Sequence, residues 1–202
     1  SPAPPFTTST FQQAAVNRLG MSAARAMGIA QELYEGIGGQ AGLITYMRTD
    51  SFNISPIARL QARDFAARTW GSEYIPAKER VYVTRSRGAQ EAHEAIRPTN
   101  PSAMPESLRR TLNNDQLRVY TLIWQRFMAS QMSDARYATV TVDIEAREGT
   151  DAHATFRASS STLTFEGHLK VYGADASEAQ AEDDQEEGLQ GSLPELAAGE
   201  TL

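Results

Sequence analysis

The sequence has 202 residues, of which 41% are hydrophobic and 22% are charged, an ordinary composition for one large or two small globular domains. It contains no cysteine, which excludes disulfides, thiolate metal sites and a cysteine nucleophile, and no apolar run is long enough for a transmembrane helix. The net charge of −6 divides into +5 over residues 1–136 and −11 over residues 137–202. Most of the cations are Arg, which a GC-rich genome would also favour, but the charge asymmetry itself indicates a polyanion partner for the first part.

Two helices are predicted in the first forty residues. The stretch "TTSTFQQAAVNRLG" predicts a helix with Ser9 as its N-cap and Gly20 at its end. The next stretch, "MSAARAMGIAQELYEGIGG", predicts a second helix with Ser22 as its N-cap and a glycine-rich end. The apolar positions of this second helix follow helical spacing and are Met27, Ala30, Leu33, Tyr34 and Ile37.

A strand and two further helices are predicted next. "GLITY" is short and β-branched, which predicts a buried strand. "SPIARLQARDFAARTWG" predicts a helix with Ser55 as N-cap, Pro56 at the first helical position and Gly71 just past the end. "NNDQLRVYTLIWQRFMASQM" predicts a long amphipathic helix, whose apolar positions are Leu117, Tyr120, Ile123, Trp124, Phe127, Met128 and Met132.

The pattern changes to period two after Ser133. Ala138, Val140, Val142 and Ile144 then share one face, and "EGTD" predicts the turn of a β-hairpin. An acidic stretch with almost no large apolar residues predicts a flexible loop near residues 175–187.

These patterns together predict an α+β protein. We expect a helical domain over residues 8–134 and part of an antiparallel β domain over residues 135–202, with residues 1–7 in a linker or in the β domain. The opening "SPAPPF" and the closing "AAGETL" lead us to expect a segment of a longer protein.

The stretch "LITYMRTDS" holds the first group of candidate functional residues. A free tyrosine phenol has a pKa near 10, so a tyrosine nucleophile needs its phenolate stabilised. Tyr46 and Arg48 lie two residues apart, and such side chains share a face of an extended segment. One phosphodiester could therefore meet both, with the guanidinium neutralising the charge of the transition state. The alternative is a tyrosine at a strand end beside a surface arginine.

The neighbours of this pair have two possible roles. Asp50 could orient Arg48 or accept a proton, and it could equally cap the following turn. Thr49 and Ser51 could donate to a phosphate, whereas such hydroxyls more often satisfy local backbone groups.

A second group lies in "QEAHEAIRPT", which contains Gln90, Glu91, His93, Glu94, Arg97 and Thr99. His93 could donate to a phosphate oxygen or relay a proton, with Glu91 or Glu94 holding its charged form, or it could be a solvated surface imidazole. No metal ligands are predicted, because His153 and His168 have no ligand spacing that joins them to His93.

Five motifs in this order resemble the bacterial type IA DNA topoisomerases, and more specifically topoisomerase I. They are "PFTTSTFQQAA", "RAMGIAQELYEGI", "GLITYMRTDS", "EAHEAIRPT" and "VYTLIWQRFMASQM", which span residues 5–132. The β segment "LTFEGHLKVYG" extends the likeness to about residue 173. With Met47 between Tyr46 and Arg48, the tyrosine motif is more similar to that of topoisomerase I than to that of topoisomerase III, which usually has proline at this position.

The resemblance implies specific roles. Tyr46 would attack single-stranded DNA and become linked to its 5′ phosphate, Arg48 would stabilise the scissile phosphate, and His93 would assist. Asp50, and with it Thr49 and Ser51, would support the site or contact DNA, and Arg97 would contact DNA. The family's helical tyrosine domain is inserted in a β domain that acts as the hinge of a DNA gate. The protein would relax negatively supercoiled DNA in the bacterial cytoplasm, at the nucleoid, with no membrane partner.

The chain lacks a counterpart of two further family domains, the toprim domain and the arch domain. The full enzyme's Mg²⁺ would be bound by the toprim domain, so we expect no cofactor in this segment and no cleavage by it alone, with weak, salt-sensitive binding to single strands at most. The alternatives are a single-stranded DNA-binding module that does not cut, and a helical scaffold with an acidic tail.

Overall fold

The computed structural model describes residues 1–39, 41–82, 93–148 and 151–173, with no side chains described for 146–148 and 151–153. Its helices are α1 (Thr8–Leu19), α2 (Ala23–Glu35), α3 (Pro56–Trp70) and α4 (Asn114–Ser130). They are followed by the antiparallel strands β1 (Arg136–Glu148) and β2 (Asp151–Phe165). Short 3₁₀ turns lie at Ser72–Tyr74, Pro105–Leu108 and Gly167–Val171. The predicted α+β class is confirmed.

The helix boundaries follow from their caps. Ser22 and Ser55 are the N-caps of α2 and α3, and Pro56 begins α3, as predicted. The prediction for α1 was wrong by two residues, because Thr7 and not Ser9 is the N-cap. Thr7 and Thr10 form a reciprocal capping box, in which the Thr7 N–H donates to the Thr10 hydroxyl at 2.9 Å. Ser9 lies inside the first turn, where it cannot close that box.

Helix α4 is the centre of the hydrophobic core. The prediction of its buried face is confirmed, since Tyr120, Ile123 and Phe127 are fully enclosed while Leu117 is partly buried. Its polar aromatic atoms have partners: the Tyr120 hydroxyl donates to the Ala103 carbonyl at 2.7 Å, and the Trp124 indole N–H donates to the Pro101 carbonyl at 2.9 Å. Helices α1 and α2 pack against α4 and complete the helical body.

The predicted strand in "GLITY" is wrong. Leu43 and Ile44 are buried, yet Ile44 makes only an isolated bridge, to Pro98. A longer ladder does not form, because proline has no N–H to donate and because the Leu43 N–H is taken by the Leu33 carbonyl at the end of α2, at 2.7 Å. The segment is extended and buried without being part of a sheet.

The predicted pairing of two antiparallel strands is confirmed, and residues 149–150 of the predicted turn lie outside the described residues. Val140 pairs with Ser160 and Ile144 with Phe156, so the predicted apolar residues do share a face. That face is open to solvent in this chain, with Val140 and Phe156 exposed. Secondary structure changes from helix to strand between Ser130 and Arg136. The proposed domain boundary near residue 134 stays a prediction, as does the acidic loop, which lies outside the described residues.

Candidate functional site

The segment from Tyr46 to Ser51 alternates between exposed and buried side chains. Tyr46, Arg48 and Asp50 are exposed, whereas Met47, Thr49 and Ser51 are buried. This alternation is the pattern of an extended chain lying along a core, in which alternate side chains point to opposite sides. The structure therefore places the phenol, the guanidinium and one carboxylate on the solvent side of one short segment.

A residue that the sequence analysis did not single out holds this segment in place. The Thr8 hydroxyl, in the first turn of α1, donates to the Met47 carbonyl at 2.8 Å and accepts from the Thr49 N–H at 2.8 Å. The Thr8 N–H also donates to the Thr49 carbonyl at 2.8 Å. These bonds fix the backbone on both sides of Arg48. Thr8 lies 39 positions before Met47 and 41 before Thr49, so no local sequence pattern could have identified these contacts.

A second threonine joins the two predicted groups of site residues. The Thr45 hydroxyl donates to the Ala95 carbonyl at 2.7 Å and accepts from the Arg97 N–H at 3.0 Å. The Thr45 N–H donates to the Arg97 carbonyl at 2.9 Å. The backbone just after half-buried His93 is thus bonded to the residue just before Tyr46. Gln90 and Glu91, which belonged to the same predicted group, lie outside the described residues.

Glu94 and Arg97 form a partly buried ion pair at 2.5 Å. The Glu94 carboxylate also accepts from the Ser55 N–H at 2.6 Å, at the N-cap of α3. The Arg97 guanidinium further donates to the Pro98 carbonyl at 3.0 Å, and its Nε is buried. These contacts support a role of Arg97 in holding the loop together; its predicted contact with DNA stays a prediction.

The environment of Glu94 changes its acidity. Burial alone would raise the pKa of Glu94, but the hydrogen bonds from Arg97 and Ser55 and the charge of Arg97 outweigh burial and hold that pKa below its usual value. A carboxyl with a lowered folded-state pKa stabilises the fold above its unfolded-state pKa, and this contribution is lost as the pH falls through the folded-state pKa.

We therefore expect Glu94→Gln to lose more free energy of unfolding near neutral pH than in acid. Urea unfolding of wild type and variant at about pH 7 and about pH 3 should give a smaller difference at the lower pH, where wild-type Glu94 is increasingly protonated. A difference that stayed constant or grew in acid would contradict the assigned ion pair.

The hydroxyls of Thr49 and Ser51 both serve nearby backbone. Thr49 accepts from the Ser51 N–H and Ser51 accepts from the Asn53 N–H, each at 3.1 Å. Both side chains are buried, and the partners shown for their hydroxyls are local backbone N–H groups. Asp50 is exposed beside them. The roles of all three toward DNA remain predictions.

Tyr46 has an aromatic neighbour on α2. The rings of Tyr34 and Tyr46 are 5.3 Å apart between centroids, at an interplanar angle of 60°, which is an edge-to-face contact. Helical spacing placed Tyr34 among the apolar positions of α2, yet its side chain is 40% exposed, close to the 39% of Tyr46. Its neighbour Leu33 occupies the core instead.

A close backbone approach sets the distance between α2 and the tyrosine segment. A Cβ atom at Gly42 would overlap the carbonyl oxygen of Tyr34. Any larger residue would therefore push the chain leading to Tyr46 away from the end of α2. Only glycine permits this contact, which makes Gly42 part of the site although it carries no functional group.

We expect Gly42→Ala to destabilise the fold by roughly 1–3 kcal/mol, because the clash is with backbone and cannot be relieved by a side-chain rotation. Gly28→Ala is the matched control: Gly28 lies inside α2, and an added Cβ there meets no atom within 4 Å. That change should stabilise the protein by about 0.5–1 kcal/mol through helix propensity. Urea unfolding measures both, and equal effects of the two variants would contradict the close approach.

In the part of the chain that the structure describes, no group of three or more His, Asp or Glu side chains could hold a metal ion. No helix in the same residues is long and apolar enough to cross a membrane.

Comparison with known proteins gives the class to which this architecture belongs. The family model for DNA topoisomerase matches residues 1–202, and the chain therefore belongs to the DNA topoisomerase family. It is 48% identical over 176 residues to DNA topoisomerase 1 of Campylobacter jejuni, covering 86% of this chain and 24% of that protein. It is 45% identical over 205 residues to DNA topoisomerase 1 of Xylella fastidiosa, covering 100% of this chain and 24% of that protein.

A solved structure agrees with these relatives. Full-length topoisomerase I from Thermotoga maritima superposes with a TM-score of 0.74 at 35% identity, covering 97% of this chain and 29% of that one. The chain thus spans about a quarter of the length of the curated relatives named above. The resemblance drawn from the five motifs is confirmed.

Proposed function

We propose that this chain carries the nucleophile of a type IA DNA topoisomerase, an enzyme that relaxes negatively supercoiled DNA through a transient break in one strand. The observation that carries the proposal is the solvent-facing pair Tyr46 and Arg48, mounted on a segment whose backbone is bonded to Thr8 and, through Thr45, to the loop after His93. A nucleophile must be accessible and held in a fixed geometry; the exposure of Tyr46 supports the first condition and the bonds to Thr8 and Thr45 support the second.

The proposed reaction is a transesterification. The Tyr46 phenol oxygen attacks phosphorus, the bond between phosphorus and the 3′ oxygen breaks, and a 5′-phosphotyrosyl ester forms. The phenol proton leaves the nucleophile and the departing 3′ oxygen takes up a proton, so the products are the ester and a 3′ hydroxyl. Because the ester retains the bond energy, the reverse attack reseals the strand without a nucleotide cofactor.

Arg48 and His93 assist in this proposal. The Arg48 guanidinium lies on the same side of the segment as Tyr46 and neutralises charge that develops on the phosphate oxygens. The imidazole of His93, in the loop bonded to Thr45, contacts the phosphate or relays a proton. The ion pair of Glu94 and Arg97 keeps that loop seated on the N-cap of α3.

The rest of the enzyme is supplied by other domains. We propose that a toprim domain provides the Mg²⁺ site and that an arch domain encloses single-stranded DNA, with both domains in the same full-length cytoplasmic protein. The chain alone would then hold single strands weakly and would not cut them.

The test mixes this chain with a separately made toprim-containing segment, Mg²⁺ and a single-stranded oligonucleotide labelled at its 3′ end. We expect the label to move onto the protein and peptide mapping to place it on Tyr46, whereas a 5′ label should leave on a free product. Binding without any adduct would instead support the non-cutting single-stranded DNA-binding module. An adduct formed by the chain alone would overturn the proposed inactivity.

A further inference from the structure

Tyr34 stands beside the proposed nucleophile without a role in the chemistry described above. Its ring meets that of Tyr46 edge to face, and the two side chains are exposed to almost the same extent. An exposed aromatic side chain normally samples several rotamers on a fast timescale. A neighbouring ring in an edge-to-face arrangement favours one of them, because the positive edge of one ring meets the negative face of the other.

The support for Tyr34 is rigid. It lies in the last turn of α2, next to Leu33, which is completely buried. The Leu33 carbonyl accepts from the Leu43 N–H at 2.7 Å, and the backbone of Gly42 touches the Tyr34 carbonyl. Only Ile44 and Thr45 then separate this fixed point from Tyr46.

The far side of Tyr46 is equally constrained. Met47 is buried and its carbonyl is bonded to Thr8, while Thr45 is bonded to the loop that follows His93. The backbone of Tyr46 therefore has little freedom. Its phenol oxygen can change position only through rotation about the side-chain torsions of Tyr46. Within the described part of the chain, the ring of Tyr34 contacts the ring of Tyr46 and is placed to limit those torsions.

We propose that Tyr34 is a positioning residue, whose ring holds the ring of Tyr46 in the orientation from which its phenol oxygen attacks the phosphodiester. The inference rests on the proposed function, because it assigns to Tyr34 a role in the reaction of Tyr46. It assigns the effect to the ring of Tyr34 and not to its hydroxyl. Losing this alignment lowers the rate of attack without weakening the binding of DNA, since misplaced reacting atoms cost rate even when the substrate stays bound.

The kinetic test uses the complete polypeptide that carries this chain, with Mg²⁺ and saturating oligonucleotide in single-turnover cleavage. We expect Tyr34→Ala to cleave roughly 5- to 10-fold more slowly, the size of effect that loss of one aromatic pair produces. Tyr34→Phe should stay within about 2-fold of wild type, and the oligonucleotide dissociation constant should change by less than about 2-fold in both variants. Tyr137→Ala, at an exposed tyrosine of β1, is the matched control.

A second measurement does not depend on cleavage. With isotope-labelled tyrosine rings, the ring resonances of Tyr46 can be observed by nuclear magnetic resonance in this 202-residue chain. They are assigned by their disappearance in Tyr46→Phe. Tyr34→Ala should shift the Tyr46 ring resonances and lower their order parameter, whereas Tyr34→Phe should preserve both. Folding of each variant is followed by the resonances of the buried Trp124 indole.

The outcomes separate this inference from the proposed function. An unchanged cleavage rate and an unchanged Tyr46 ring in Tyr34→Ala would overturn the positioning role and leave the function of Tyr46 intact. Equal losses of rate in Tyr34→Phe and Tyr34→Ala would assign the effect to the hydroxyl and also overturn it. Weaker oligonucleotide binding at an unchanged rate would make Tyr34 a DNA contact instead. If wild type forms no Tyr46 adduct, the proposed function fails, and the resonance measurement still tests the contact.

Discussion

Tyr46→Phe is expected to abolish the covalent protein–DNA adduct and to lower strand cleavage by on the order of 10³-fold or more, because the variant keeps the ring and loses the only atom that can bond to phosphorus. The edge contact with Tyr34 needs only the ring, so the fold should remain unchanged. The measurement is adduct formation on a 3′-labelled oligonucleotide by the complete polypeptide, followed by gel electrophoresis under denaturing conditions.

Tyr137→Phe is the matched control for this change, since Tyr137 is 38% exposed against 39% for Tyr46 and lies on β1. It should form the adduct at the wild-type rate. Retention of the adduct by Tyr46→Phe, or its loss in Tyr137→Phe alone, would remove Tyr46 from the reaction and leave a DNA-binding role for this surface.

Arg48→Ala is expected to lower the cleavage rate by roughly 10²- to 10³-fold, the range found when one group that stabilises a transition-state oxyanion is removed. The effect should fall mainly on the rate at saturating oligonucleotide and less on binding, because charge on the phosphate oxygens grows toward the transition state. Arg48→Lys should recover only part of the rate, since an ammonium group cannot make the paired contacts of a guanidinium.

The control for Arg48 is Arg68→Ala, which removes an exposed arginine paired with Asp64 on α3 and should leave the rate unchanged. Arg68→Ala should alter oligonucleotide binding at most by slightly reducing the dependence of the dissociation constant on salt concentration. If Arg48→Ala and Arg68→Ala weakened binding equally and left the rate unaltered, Arg48 would be a general electrostatic contact and not a partner of the nucleophile.

The sequence predicted those parts of the molecule that depend on neighbours in the chain. Ser22 and Ser55 were recognised as N-caps because a cap and the N–H that it binds lie within three residues. The face of α4 was recognised because its residues repeat at helical spacing. The N-cap of α1 was missed, since several hydroxyls follow one another there and only the pairing of Thr7 with Thr10 decides among them.

The parts that sequence could not predict depend on distant partners. Thr8 and Thr45 bind segments about 40 to 50 positions away, and a hydroxyl in a polar stretch gives no indication of such a partner. Helical spacing assigns Tyr34 to the apolar face of α2, whereas in the structure its side chain is exposed and its ring lies against that of Tyr46, a residue in a different segment. The alternation of Tyr46 and Arg48, in contrast, needed only the period-two geometry of an extended chain.

That alternation also determines which kinds of genetic change the segment tolerates. Substitution at an exposed position leaves Met47, Thr49 and Ser51 in the core, whereas inserting or deleting a single residue between Gly42 and Ser51 would exchange the two sides of the chain. A change in length before Met47 would turn the guanidinium of Arg48 toward the core and the thioether of Met47 toward solvent. The length of this stretch is therefore under stricter constraint than the identity of its exposed residues outside the pair Tyr46 and Arg48.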